Sequence, residues 1–295
     1  MTWATGFACY VGHMNVAVLG TGYVASAYLR ALHFLGHHPL VLSRAWLDYI
    51  DQDVLHFCLE AYKPDMVINA AGYTGRTVDD CQVNKEECYQ ANVVLPRQLA
   101  SICAGLGVTL MHVSSGCIFD GHGPFKEDDK PNFLQNFYQQ CKFSAEQDIV
   151  SSKVRSFIFR IRMPFGHYHH ERNWLDKLCG HRHVLAGLNS VTMVGSFAMR
   201  SFQLASGGMG PPGVYHCAES KPVRTEEVAG MLYVAGLRKH RCDLIAPDLF
   251  LKAGHVPRSA AVLDVSKFEK AYGAQFGDAL VALRWCIDRL AAHNA

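Results

Sequence analysis

The chain has 295 residues, 49% hydrophobic and 18% charged, with 28 Lys and Arg against 26 Asp and Glu and a formal charge of +2. That composition excludes a disordered chain, and at roughly 100–200 residues per domain the length predicts one large domain or two intimate ones. The basic residues are scattered and not gathered into a stripe, so nucleic acid is not an expected partner.

Residues 1–13 carry neither a basic leader region nor a continuous apolar run, and read as an extension before the first regular element. No run reaches the roughly 18 apolar residues of a membrane span, so no membrane partner is expected and the expected location is cytoplasmic. A strand over 15–19 leads to a helix over 23–35, in which Val24, Ala27, Tyr28, Ala31, Leu32 and Leu35 recur at helical spacing. A strand at 39–42, a helix at 47–62, a strand at 66–71, a helix at 86–106, a strand at 108–114, a helix at 137–150 and a strand at 156–161 follow. Strands that are apolar throughout and alternate with helices predict an α/β fold with a Rossmann-type, doubly wound parallel sheet over 14–165. After Met163 and Pro164 the rhythm breaks. Residues 166–295 are expected to form mainly a smaller C-terminal lobe that caps the sheet edge, with 214–217 returning as a strand and helices at 225–237 and 278–290. Those late helices admit a homodimer.

Eleven cysteines and sixteen histidines invite a metal or disulfide reading, but their spacing argues against it. No CxxC occurs, and cysteines this scattered read as reduced core or surface thiols. His167, His169, His170, His181 and His183 fall in loop-like sequence without a fourth ligand, so no metal site is expected.

Chemistry first shows at the end of the first strand, in Gly20-Thr21-Gly22-Tyr23-Val24-Ala25. Glycines there allow a tight turn and the approach of a pyrophosphate to a helix N-terminus, which makes 14–165 an NAD(P)-binding domain. The second strand ends in Ser43-Arg44, where an NAD-specific site often has an acid; a cation and a hydroxyl suit a 2′-phosphate, so NADPH is favoured, with NADH the alternative. Tyr138 and Lys142 lie four residues apart on one helix face, where the ammonium is expected to lower the phenol from its usual pKa of about 10. Ser115, ending the preceding strand, is placed to hydrogen-bond the same substrate oxygen. Together these spell the short-chain dehydrogenase/reductase proton-donor set.

The segments 68–76, INAAGYTGR, and 114–121, SSGCIFDG, resemble the extended short-chain reductases that include dTDP-4-dehydrorhamnose reductase. Gly-Cys-Ile-Phe at 116–119, DKPNF at 129–133, RIRMP at 160–164, Arg172-Asn173 followed by Lys177, NSVT at 189–192, Pro257-Arg258-Ser259 and Leu263-Asp264 are similar to one branch of it. That branch is the bifunctional UDP-4-keto-6-deoxyglucose 3,5-epimerase/4-reductases of plants and large viruses, the UDP-L-rhamnose synthases.

The resemblance implies conversion of a nucleotide-linked 4-keto-6-deoxyhexose to a 6-deoxy-L-hexose. It implies Cys117 and Lys177 as the epimerase acid–base pair, and Ser115, Tyr138 and Lys142 as the reductase set. Dinucleotide contacts are implied at Gly20, Gly22, Tyr23, Val24, Ser43, Arg44, Asn69, Ala70, Ala71, Tyr138, Lys142 and Met163. The nucleotide-sugar contacts are implied at Thr74, Arg76, Asn173, Asn189 and Arg258. Three departures stand out: the first turn is GxGxxA where the branch carries GxxGxxG, residues 218–225 replace an Asn-Pro-Gly stretch, and Gly116 stands where single-function reductases carry Asp. A 4-reductase without epimerase activity and a non-catalytic dinucleotide-binding subunit are the alternative readings.

Overall fold

A computed structural model describes residues 12–48 and 50–293. The expected extension therefore lies almost wholly outside the described residues. In chain order the framework is β1 (Val16–Leu19), α1 (Tyr23–Phe34), β2 (Leu40–Leu42), α2 (Gln52–Tyr62), β3 (Met66–Asn69), α3 (Leu95–Leu106), β4 (Thr109–Ser115), α4 (Phe137–Ser151), β5 (Ser156–Ile161), α5 (Trp174–Gly180), α6 (Val194–Ser206), β6 (Gly213–Cys217), α7 (Thr225–Val234) and α8 (Ala279–Ala292).

The six strands form one parallel sheet in the order β6-β5-β4-β3-β1-β2. Successive strand residues point to opposite faces, and both faces are covered. Val16 and Val18 pack with Tyr28 of α1 and Phe197 of α6, while Ala17 and Leu19 pack with Leu55 and Leu59 of α2 and Leu99 of α3. That burial is why β1 is apolar at every position. The direction of winding reverses between β1 and β3, so the carboxyl ends of these strands open the crevice where ligands of such sheets bind.

The helix expected from residue 47 begins at Gln52, because the Asp51 side chain accepts the N–H groups of Asp53 and Val54 and caps it there. The long helix expected over 86–106 is interrupted by a π turn, Gln90–Val94, just before Pro96. Proline has no N–H to return to the preceding turn, and the ladder widens. The wide turn seats buried Asn92 against the loop after β3: its Nδ2 donates to the Tyr73 carbonyl at 2.7 Å and its Oδ1 accepts from the Tyr73 N–H at 3.2 Å.

The return of chain to the sheet is larger than one strand, since α6 packs on α1 beside β6. A separate apolar cluster joins α5, α7 and α8 through Leu175, Leu178, Val228, Leu232, Leu283 and Ile287. A parallel pair that sequence patterning misses, Gly121–Phe125 with Ala261–Leu263, brings the segment after Cys117 against the late chain. No helix among the described residues is long and apolar enough to cross a membrane.

Candidate active site

β4 leaves the sheet at Ser115 and turns at once into a single 3-10 turn, Gly116–Ile118. The Ser115 hydroxyl caps that turn, accepting the Cys117 N–H at 3.3 Å and donating to the Cys117 sulfur at 2.9 Å. Gly116 packs closely against two side chains. A Cβ there would lie 2.6 Å from Leu263 Cδ1 and 3.0 Å from Arg162 Cγ, so an Asp at this position would need its neighbours to move.

α4 is pinned to the same turn. Asn136 and Gln139 form a capping box at its start, and Gln139 Nε2 donates to the Cys117 carbonyl at 3.0 Å. The first turn of α4 thereby brings the Tyr138 phenol close enough to Ser115 and Cys117 for both to act on its proton affinity. One turn on, the buried Lys142 Nζ donates to the Val113 carbonyl at 2.8 Å and lies 3.3 Å from His112 Nε2. Ser115, Cys117, Tyr138 and Lys142 therefore meet at the carboxyl end of β4.

The electrostatics correct one expectation. Burial, reinforced by Cys117 and Cys81, pushes the Tyr138 phenol well above its ordinary value, and the Ser115 hydrogen bond offsets this only in part. Lys142 Nζ donates to the Val113 carbonyl and faces His112, and the group that lowers the phenol is Ser115. A phenol held protonated is the form a proton donor needs. Burial also draws Lys142 down to about 8, against the opposing charge of Glu146, and raises the Cys117 thiol against the Ser115 hydrogen bond, Arg162 and Lys142.

A second group lies across the loop after β3. Arg172 donates to Thr74 Oγ1 at 2.9 Å and to the Gly75 carbonyl. Lys177 on α5 is depressed below the usual lysine range by burial and by Arg172, with Arg258 adding to it. Arg258 is held by Asp79 at 2.6 Å. Burial would raise the Asp79 carboxyl, but Arg258 and the Val256 N–H together hold it well below the carboxylate range. The Asn136 Nδ2 bond to the Pro257 carbonyl, 3.1 Å, ties the start of α4 to this segment.

Three expected sugar contacts sit elsewhere. Asn173 is wholly buried as the cap of α5, with its oxygen on the Leu175 N–H and its nitrogen on the Gly166 and Tyr168 carbonyls. Asn189 is buried between Arg162, the Ala261 N–H, the Gly187 carbonyl and Thr225. With their hydrogen-bonding capacity spent internally, both hold the fold of the site. The Arg76 side chain is 91% exposed beside Asp80, turned out to solvent.

The turn after β1 fits a dinucleotide. Gly20 has φ +103°, and a Cβ there would lie 3.0 Å from the Ala71 nitrogen, so only glycine lets the ends of β1 and β3 close together. Gly22 caps α1 without a side-chain hydrogen bond, no acid lies in the first turn, and a Cβ on Gly22 would meet nothing within 4 Å. The helix therefore presents its first N–H groups, at Tyr23 and Val24, with their partial positive charge uncompensated. The Tyr23 ring turns inward against Tyr168 and His170, each 5.1 Å away, so only its backbone is offered. Ser43 is buried at the end of β2, and Arg44 is exposed with no ion pair among the described residues. Asn69 is buried at the end of β3, followed by half-buried Ala70 and Ala71. Half-buried Met163 lies two residues beyond the end of β5, at a left-handed φ of 41°.

His112 was not singled out by sequence reasoning, and Arg162 and Arg172 entered only within motifs, without a role of their own. A cation or imidazole inside an otherwise apolar buried strand, as in LMHVSS and FIFRIRMP, is the signal that could have found the first two, because such a group is kept only with a partner.

A family model described as the RmlD substrate binding domain matches residues 14–291. The chain belongs to this family. The RmlD family is that of the dTDP-4-dehydrorhamnose reductases, and two relatives bracket this member of it. One is the bifunctional dTDP-4-dehydrorhamnose 3,5-epimerase/dTDP-4-dehydrorhamnose reductase of Arabidopsis thaliana, 32% identical over 59% of this chain and 60% of the relative. The other is the dTDP-4-dehydrorhamnose reductase of Aggregatibacter actinomycetemcomitans, 25% identical over 84% of this chain and 89% of the relative. A trifunctional plant enzyme is matched over only 33% of its length. The chain thus spans 60% of the one plant relative and 33% of the other. Among solved structures the RmlD-family fold superposes on the UDP-rhamnose synthase of Acanthamoeba polyphaga mimivirus with a TM-score of 0.84 at 22% identity, covering 94% of this chain and all of that one.

Proposed function

We propose that this RmlD-family chain is an NADPH-dependent 3,5-epimerase/4-reductase that converts a nucleotide-linked 4-keto-6-deoxyhexose, UDP-4-keto-6-deoxyglucose in particular, to a 6-deoxy-L-hexose such as UDP-L-rhamnose. The observation that carries it is the 2.9 Å contact between Ser115 and Cys117. A hydroxyl suited to hold a carbonyl oxygen and a thiol suited to exchange a proton beside that carbonyl stand at one point. The names borne by the Arabidopsis relatives support the same pairing of activities.

The ketone at carbon 4 acidifies the protons on carbons 3 and 5. Cys117 and Lys177 exchange them, a thiol raised by burial working with an ammonium lowered by burial and two arginines. Reduced nicotinamide supplies hydride when bound. Ser115 and Tyr138 hold the carbon-4 oxygen, and the protonated phenol of Tyr138 gives it a proton as negative charge develops. Lys142 supports the base of this site, and Arg172 and Arg258 offer planar cations to the diphosphate beside Thr74.

Incubation with NADPH in deuterated water and either UDP- or dTDP-4-keto-6-deoxyglucose, followed by NMR of the product, tests the reading. The expected product is the L-rhamno sugar with deuterium at carbons 3 and 5. Reduction without deuterium at those carbons leaves a 4-reductase alone, and no NADPH consumption with either ketone overturns the enzyme reading.

A further inference from the structure

Asn69, His112 and Lys142 form a buried row that crosses β3, β4 and α4. Asn69 Nδ2 lies 3.1 Å from His112 Nδ1, and His112 Nε2 lies 3.3 Å from Lys142 Nζ. At the other end, Asn69 Oδ1 accepts the Ala71 N–H at 3.2 Å. Ala71 is the residue whose backbone closes on Gly20 at the mouth of the dinucleotide crevice.

A neutral imidazole carries one proton, so its two nitrogens must take opposite roles. Burial, with Lys142 adding to it, holds His112 well below its ordinary value and keeps it neutral. Two bonding patterns follow. When Nδ1 accepts from Asn69, Nε2 carries the hydrogen, and the only partner it faces in the row is a neutral Lys142 amine. When Lys142 is an ammonium, Nε2 must accept, Nδ1 must donate, and Asn69 must offer its oxygen by a half-turn flip that takes this oxygen from the Ala71 N–H.

We propose that His112 is a positioning residue that couples the charge on Lys142 to the orientation of Asn69, and through it to the Ala71 N–H at the dinucleotide crevice. The row gains one proton between the two patterns, and it resides on Lys142; His112 stays neutral and changes only which nitrogen carries its hydrogen. Coupling of this kind is reciprocal, so a ligand that engages the Ala71 N–H biases Lys142 toward the ammonium, and deprotonation of Lys142 weakens that ligand. Besides His112, the groups facing Lys142 are Glu146 and Cys141 on α4, Cys117 in the turn after β4, and Cys88 from the short helix Lys85–Tyr89. Glu146 is committed to Arg160 and Ser114, and His112 is the group through which Lys142 meets Asn69. With Lys142 drawn down to about 8, both patterns are reached in ordinary buffers.

The proposal rests on the role given to Lys142 above, and its test separates the two. Nitrogen NMR of the full chain with labelled histidine, from about pH 6.5 to about 9.5, reads which nitrogen of His112 is protonated without any turnover. The expected result is Nδ1–H at the acid end and Nε2–H at the alkaline end, with no change of tautomer in Lys142→Met. One tautomer throughout in the wild type overturns the proposal. In turnover with NADPH, His112→Leu is expected to lower kcat for reduction roughly tenfold, the rate equivalent of one hydrogen bond to a charged group, and to remove the alkaline inflection. His112→Gln, which keeps a donor and an acceptor, restores part of kcat, with KM for the ketone unchanged. A wild-type pH profile in a folded His112→Leu overturns the coupling. A wild-type tautomer switch in a protein that reduces neither ketone overturns the reading of function and leaves the coupling standing.

Discussion

The Ser115 hydroxyl and the Cys117 sulfur are hydrogen-bonded at 2.9 Å across a single 3-10 turn. Because that bond lowers the Cys117 thiol against the effect of burial, Ser115→Ala is expected to raise it. The pH midpoint of Cys117 alkylation by iodoacetamide, followed by mass spectrometry, should move upward in this variant. An unmoved or lowered midpoint rejects the interaction. Cys117→Ala should lose deuterium exchange at carbons 3 and 5 by roughly 10²–10⁴-fold, the usual worth of a positioned acid or base, while reduction of an already epimerised ketone survives.

Arg44 stands exposed beside the end of β2. Arg44→Ala should weaken NADPH by about tenfold or more, as expected for loss of a charge-assisted bond, and leave NADH nearly unchanged. Calorimetric titration with each dinucleotide checks this, and equal losses for both would remove the 2′-phosphate role.

Gly20→Ala places a methyl 3.0 Å from the Ala71 nitrogen at φ +103°. The strain should lower stability by about 1–3 kcal/mol and reduce dinucleotide affinity, because it pushes apart the ends of β1 and β3. Urea unfolding with and without NADPH measures both, and a variant with native stability contradicts the close approach.

Arg160 and Glu146 form a buried pair at 2.6 Å, with side chains 5% and 2% exposed, and Glu146 also accepts from Ser114. Arg160→Met leaves a buried carboxylate without its partner and should cost about 3–5 kcal/mol in urea unfolding. A loss below about 1 kcal/mol, the level of an exposed pair, would show that the carboxylate finds water.

Glu219, beyond the end of β6, is pushed up to about 7 by burial, from an ordinary 4.5. The folded state thus binds its proton more tightly than the unfolded state. Its neutral form is favoured below about 4.5, and stability falls as the pH rises from there through 7. At about 1.4 kcal/mol per pKa unit the effect is on the order of 3 kcal/mol, and Glu219→Gln should lack it. The difference in unfolding free energy between the two proteins, measured from acid to neutral pH, should grow in favour of the variant. A constant difference would place Glu219 in contact with solvent.

The doubly wound sheet was legible because its signals are local. Val16 to Leu19 is apolar at every position, and Gly20 and Gly22 flank a turn whose shape depends on backbone freedom alone. The Tyr138 and Lys142 spacing on one helix face is equally local. The π turn before Pro96 and the late start of α2 were missed because a periodicity argument does not weigh a proline's missing N–H or a capping Asp51 against a continuing apolar pattern.

Residue order alone dictates the parallel α/β scaffold, the glycine turn and the residue types at the end of β4, since these follow from near neighbours in the chain. Which polar residues remain available is a matter of folding. Asn173 and Asn189 read as ligand contacts until partners up to 72 residues away use up their amides. Arg172 and His112 gain their meaning from Thr74, 98 residues away, and Asn69, 43 residues away. Buried hydrogen-bonding groups must be satisfied, and in a parallel sheet the strands that satisfy them come from distant segments, so their roles exist only once the chain is packed.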